Sequence, residues 1–324
     1  MRSIYPFSFI LPLLLVIMIP ANSQTNARMQ KSNLITIRLN SGWQFREASK
    51  DSWYPATVPG SVHTDLMKNQ LIGDSFYRDN EQKQQWIGKT DWEYRSTFRV
   101  SQEVLNHENL ELVFDGLDTY ADVFLNDVPV LKADNMFRTW RVNCANRLKP
   151  GDNTLRIYFR SPINEVLPLM AKMSYQLPAS NDQGEKTSPH TRKAPYQFGW
   201  DWGPRLVTSG IWKSISIEAW DKARISDLHI AQNLVSKESA GITANVTIEA
   251  SGDAEAHLII EDVTNKIIRA KKEVKLSQGT NKFPLEFEIL RPALWWPNGL
   301  GPHPLYNLKA RLLIGRKLLD ERST

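Results

Sequence analysis

Apolar and polar residues alternate with a period of two through DWEYRSTFRV, NLELVFDGL, YADVFLN, NTLRIYFRS and GIWKSISIEAW, and Gly, Asn, Asp or Pro separates the runs. That period places successive side chains on opposite faces, so each run suits a strand with one dry and one wet side. Such strands have to pair, and many in series with turn residues between them point to packed sheets. The expected fold class is all-β. One short helix stands out at Val62–Leu71, opened by Ser61 as N-cap after Pro59-Gly60. The polar stretch from Leu167 to Pro195, broken by Pro178, Gly184 and Pro189, reads as a long surface loop. Loops of that length are more often functional or mobile than ornamental.

The texture changes near Trp220-Asp221. Before it aromatics are dense; after it DLHIAQN, ITANVTIEA, AHLIIEDV, IIRAKKEVKL, FPLEFEIL and LYNLKARLLI give simpler candidate strands rich in Ile, Val and Leu. At 324 residues the chain has room for about two domains. The second set fits an immunoglobulin-like sandwich, which carries about seven strands. Only six are visible, so the sequence predicts a sandwich truncated before its last strand, at LLDERST. The N-terminus, MRSIYPFSFILPLLLVIMIPANSQ, has Arg2, an apolar run from Phe9 to Ile19 and a small-residue pattern before Gln24. This is the build of a secretory signal peptide, with an uncleaved anchor as the alternative. The expected organisation is 1–23 signal peptide, 24–220 first sandwich and 221–324 second sandwich. The protein would be exported: periplasmic or extracellular in a bacterium, lysosomal or secreted in a eukaryote. Asn245-Val246-Thr247 is a glycosylation sequon in a eukaryotic host only.

Several chemistries find no support. The single cysteine, Cys144, excludes an intramolecular disulfide and reads as a buried structural thiol. The six histidines are scattered without metal-ligand spacing, so neither a metal nor a cofactor is expected. A net charge of +5 is spread along the chain, and a group such as Arg269, Lys271 and Lys272 suits a wet strand face better than a nucleic-acid surface.

The stretch FGWDWGPR, Phe198 to Arg205, holds Asp201 between Trp200 and Trp202. In a regular strand the two indoles would share one face and Asp201 the other. Gly199 and Gly203-Pro204 argue for a turn or bulge that re-aims them. An ionised carboxylate can accept hydrogen bonds from two sugar hydroxyls, and an indole can cover an apolar ring face. The competing reading is core packing with the carboxylate left at the surface.

SGWQF, ATVPGSVHTDL, DWEYRSTF, FDGLDTYADVFLND and LKPGDNTLRI, followed by FGWDWGPRLVTSGIWKSISIEAW and later WWPNGLGPHPLY, resemble the family-two glycoside hydrolases. GWDWGP is similar to the β-mannosidase branch. The resemblance covers about residues 38–320 and implies a jelly-roll, galactose-binding-like sandwich followed by the immunoglobulin-like one. It implies an exo-acting retaining enzyme that removes β-linked mannose from non-reducing ends. The two carboxyl groups such chemistry needs sit, in that family, on a (β/α)₈ barrel, which would be the missing C-terminal partner of this chain. No residue here is assigned to catalysis. Glu81 and Glu165 each follow an asparagine, as the family's acid/base glutamate does, but fall in the jelly-roll portion and read as surface or loop residues. The resemblance carries a substrate-binding role to Trp200, Asp201 and Trp202, with a mannose-containing oligosaccharide as partner. Asn298 of WWPNGLG is a further candidate, against an ordinary Pro-Asn-Gly turn; Trp295 and Trp296 read as core or interdomain packing. A secreted carbohydrate-binding protein without chemistry, and a β-galactosidase- or β-glucuronidase-like member, remain alternatives.

Overall fold

The computed structural model describes residues 34–324; the expected signal peptide at 1–23 lies outside the described residues. The first sandwich uses β1 (Ile35–Arg38), β2 (Gln44–Glu47), β3 (Tyr54–Pro55), β4 (Trp92–Val100), β5 (Asn109–Phe114), β6 (Tyr120–Leu125), β7 (Val128–Asp134), β8 (Trp140–Asn143) and β9 (Gly151–Arg160). After the small hairpin β10 (Phe198–Trp200) and β11 (Gly203–Arg205), β12 (Ile215–Trp220) returns to it. One sheet runs β3-β2-β4-β9-β6-β7 and the other β1-β12-β5-β8, all antiparallel. Alternation does what its period demands: β9 buries Asn153, Leu155, Ile157 and Phe159 and turns the residues between them outward. Trp92, Tyr94, Phe45 and Phe159 form the aromatic heart, with Tyr94 edge-on to Phe159 at 5.6 Å. Each such side chain contributes about 1.5–3 kcal/mol by leaving water.

The helix α1 (Val62–Lys68) begins as expected, with Ser61 and Thr64 in a reciprocal capping box. It ends a turn early, because Asn69 caps it and Gln70 adopts a left-handed φ of 58°. From its buried face Asp65 accepts the Thr57 N–H at 2.8 Å and the Tyr94 hydroxyl at 2.9 Å. Cys144 is buried, and burial pushes its thiol up to about 12, an inert structural thiol.

The stretch 167–195 is largely the expected surface loop, but its second half is anchored inside. It contains a helical turn at Leu167–Met170 and a 3₁₀ turn at Ser188–His190, and it buries Asp182, Thr187 and Lys193. Lys193 enters the sandwich with no exposed side-chain surface. Its ammonium meets both carboxylate oxygens of Asp118, the Thr208 carbonyl at 2.9 Å and the Thr208 hydroxyl at 3.0 Å. A buried pair holds only when its remaining donors are satisfied like this.

The second sandwich consists of β13 (Ala223–Val235), β14 (Ser239–Ala250), β15 (Ala254–Asp262), β16 (Ile267–Leu276), β17 (Gly279–Leu290), β18 (Leu308–Ile314) and β19 (Lys317–Ser323), in sheets β13-β14-β17 and β16-β15-β18-β19. Its core gathers Ile248, Leu258, Ile260, Leu285 and Leu312. This corrects the expected truncation: KLLDERS is the seventh strand. Its alternation is masked by a bulge. Leu312 faces Asp320 and Leu313 faces Leu318, so Leu319 is the extra residue and Leu318, Leu319 and Asp320 are all buried. Trp295 and Trp296 are not core residues, being 56% and 40% exposed on the β17–β18 connection. The Trp295 ring lies edge-on to His303 at 5.3 Å, and the Trp296 indole sits over Gly301, where no Cβ would fit.

Candidate functional site

FGWDWGPR forms a hairpin with very short arms. β10 and β11 pair only at Phe198–Arg205 and Trp200–Gly203, leaving Asp201 and Trp202 as a two-residue tip. Neither tip residue has a positive φ, so the turn is not one of the primed types whose twist suits a tight hairpin. Inside β10, Gly199 takes φ +101°, and a Cβ there would lie 3.1 Å from the Asn181 carbonyl oxygen. The three side chains therefore project from a turn and not from a regular strand.

At the tip the indoles of Trp200 and Trp202 lie 6.4 Å apart, and Tyr196 extends the row at 6.0 Å from Trp202. Trp200 is 46% and Trp202 70% exposed, whereas Trp92 in the core is 1% exposed. These rings are not core. Asp201 is exposed and accepts no hydrogen bond from the protein among the described residues. Trp200 and Asp201 stand on the wall of a cleft of about 700 Å³, whose other sides come from α2 (Asn80–Lys83) with Gln85 and Lys89, and from Ser180–Glu185. Trp202 and Asn298 lie off that wall. Asn298 is exposed in a turn closed by Leu300 N–H to Pro297 O at 3.0 Å, with Gly299 at φ +81°. The left-handed position there belongs to the glycine, as in a type II turn.

Arg205 anchors the hairpin. Its Nη1 donates to Gln85 Oε1 at 2.6 Å, its Nη2 to Glu185 Oε2 at 2.7 Å, and its Nε to Asp182 Oδ1 at 3.2 Å. Its main-chain N–H donates to Glu81 Oε1 at 2.6 Å, and its carbonyl accepts from Gln85 Nε2 at 2.8 Å. Lys89 reaches Glu185 at 2.6 Å. Burial pushes the Glu185 carboxyl up, but the hydrogen bond from the Lys89 ammonium and the Arg205 charge together hold it below the usual carboxylate range. Glu81 is thus a structural acceptor, and Glu165 pairs with Arg160 at 3.0 Å. Tyr196, Arg205 and Gln85 are not singled out by the sequence, and Glu81 stands out there only for following an asparagine. Arg205 is in the quoted stretch, but Gln85 lies 120 residues away, a separation that no local pattern reports.

The galactose-binding domain-like model of glycosyl hydrolase 2 matches residues 43–213, and that of the glycosyl hydrolases family 2 matches residues 223–324. The chain belongs to glycosyl hydrolase family 2. Among curated relatives, this family 2 chain is 35% identical over 280 residues to β-mannosidase B of Emericella nidulans, covering 85% of itself and 33% of the relative. To β-mannosidase B of Thermothelomyces thermophilus it is 34% identical over 293 residues, covering 89% of itself and 34% of the relative. The solved β-D-mannosidase of Dictyoglomus thermophilum superposes with a TM-score of 0.79 at 33% identity, over 88% of this chain and 35% of that one. An exo-chitosanase of Amycolatopsis orientalis, at 16% identity and a TM-score of 0.68 over 90% of this chain and 33% of that one, shares the fold alone. The chain therefore spans about a third of the length of the relatives it matches.

Proposed function

We propose that this chain is the N-terminal part of an exported, exo-acting, retaining β-mannosidase, and that it supplies the pocket surface gripping a terminal β-linked mannose. The observation that carries this reading is the unpaired Asp201 carboxylate on the rim of the cleft beside the exposed Trp200 indole, with the exposed Trp202 indole next to it. A carboxylate free of protein partners can accept from two vicinal hydroxyls, while the indoles cover the apolar face of the ring and donate through their N–H groups. The names of the relatives select mannose among sugars. The catalytic carboxylates would come from a barrel partner, and Trp200, Asp201 and Trp202 would act on substrate binding.

The test is a fusion of this chain to the remaining two thirds of the D. thermophilum β-mannosidase. The fusion should hydrolyse an aryl β-mannoside. Asp201→Ala should lower kcat/KM by roughly tenfold to a hundredfold for each charge-assisted hydrogen bond lost. Unchanged kinetics for Asp201→Ala in a folded, active fusion would remove Asp201 from the substrate site.

A further inference from the structure

A two-residue turn without positive φ, on arms paired at only two positions, does not hold its own direction. Something else must fix where Asp201 and the two indoles point. We propose that Arg205 is the positioning residue of the Trp200–Asp201–Trp202 turn, tying it to the cleft floor. The idea deepens the sugar-site reading and rests on it for its functional meaning.

Three observations carry it. First, Arg205 has all its polar reach engaged: Nε, Nη1 and Nη2 go to three different side chains, and its own N–H and C=O go to Glu81 and Gln85. Second, the acceptors are themselves held. Asp182 is fully buried and accepts the Gly184 N–H at 3.0 Å, and Glu185 is tied to Lys89. The guanidinium is thus fixed from both sides of the cleft, a planar fork matched to separate acceptors that an ammonium cannot copy. Third, the backbone is cut to fit it. A Cβ on Gly184 would lie 2.5 Å from Arg205 Nη2 and 2.6 Å from Cζ, and a Cβ on Gly199 would lie 3.3 Å from Arg205 Cβ. A flexible side-chain end could normally yield, but this one is pinned at three nitrogens. Gly184 does not have a positive φ, so its role is space and not backbone conformation.

Gly184→Ala in the full chain is therefore the sharpest test, since it removes no bond and displaces the fork. The readout is the part of the far-ultraviolet circular dichroism couplet that disappears in Trp202→Phe, because Trp200 and Trp202 are close enough for their indole transitions to couple. It is measured well below the melting midpoint, beside the affinity for methyl β-mannoside. Gly184→Ala and Arg205→Gln should both lose most of that couplet and weaken mannoside binding about threefold to tenfold, the net value of one hydrogen bond. Arg205→Lys should behave like Arg205→Gln, although it keeps the charge. A merely structural Arg205 would lower the midpoint and leave the couplet of the folded protein intact. An unchanged couplet and affinity in folded Gly184→Ala would overturn the proposal, even while Asp201→Ala abolished binding and so upheld the sugar site. Conversely, a lost couplet with binding indifferent to Asp201→Ala would keep the positioning role and sink the sugar reading.

Discussion

Trp92 and Trp202 are the same residue type in opposite service. Trp92 is sealed under Phe45, and its Nε1 donates to the Ile87 carbonyl at 3.1 Å, whereas Trp202 stands in solvent beside Trp200. Trp92→Ala should cost about 3–5 kcal/mol in denaturant unfolding, while Trp202→Ala should stay within about 0.5 kcal/mol. Equal losses would mean that the tip indoles are structural after all. From sequence, Trp200, Asp201 and Trp202 could be picked out because glycines on both sides announce a turn, but exposure could not, since tryptophan suits both a core and a sugar face. His63 is a second case in which location decides. Burial, the Lys193 ammonium and, in opposition, Asp118 leave its folded-state value at about 4 rather than 6.5. The unfolded chain then binds the extra proton between pH 6.5 and 4, so stability rises with pH across that window. About 3 kcal/mol present above pH 6.5 should be lost as pH falls to about 4, since each pH unit between the folded and unfolded values is worth about 1.4 kcal/mol. His63→Gln should flatten that slope in unfolding titrations; an unaltered slope would clear His63 of the effect.

At the scale of elements, alternation located most long strands of both sandwiches, because each has one dry face. It failed where that condition fails. β19 is bulged, so two adjacent leucines and an aspartate all turn inward, and Asp320 accepts the Ile225 N–H at 2.8 Å. The readable signal was the turn before it: Gly315 at φ +57° followed by Arg316 is a Gly-X tip of the II′ kind. How the stretch 167–195 is anchored was illegible for another reason. Its polar residues look soluble, but Lys193 finds Asp118 75 residues away and Asp182 finds Arg205 beyond the stretch, and composition does not report partners. Lys193→Met should therefore be severe, costing about 3–5 kcal/mol by leaving the Asp118 carboxylate buried without its cation. Adding Asp118→Leu to Lys193→Met should recover much of that loss. If the double variant is no more stable than the single one, the pair serves something other than charge compensation.

For the molecule as a whole, the cleft carboxylates limit what the chain does alone. Glu81 is committed to the Arg205 N–H and Glu185 to Lys89 and Arg205, which leaves Asp201 as the one uncommitted carboxylate on that wall. Retaining hydrolysis needs two, about 5–5.5 Å apart. The 324-residue chain should therefore give no turnover of an aryl β-mannoside, and turnover abolished by Glu81→Gln would contradict the structural role of that residue. What the chain does own is the seam between its sandwiches. Arg224, with a side chain 2% exposed, opens β13 and contacts Glu111 and Glu249 at 2.6 Å and Glu218 at 2.7 Å, while Arg141 shares Glu111 and Glu218 from the other side. Two of those glutamates belong to the first sandwich and one to the second, so a single guanidinium neutralises charge from both. Arg224→Met would leave Glu249 without its cation and Glu111 and Glu218 with Arg141 alone, a loss of about 1–3 kcal/mol. Because the loss falls on the seam and spares both cores, calorimetry should show the unfolding of the chain split into two transitions. Glu249→Gln, at a more exposed position, should keep one transition. A single unshifted transition for Arg224→Met would mean that the sandwiches are coupled by the junction at Asp221, whose side-chain Oδ1 accepts the Glu108 N–H at 2.8 Å, and not by the ion cluster.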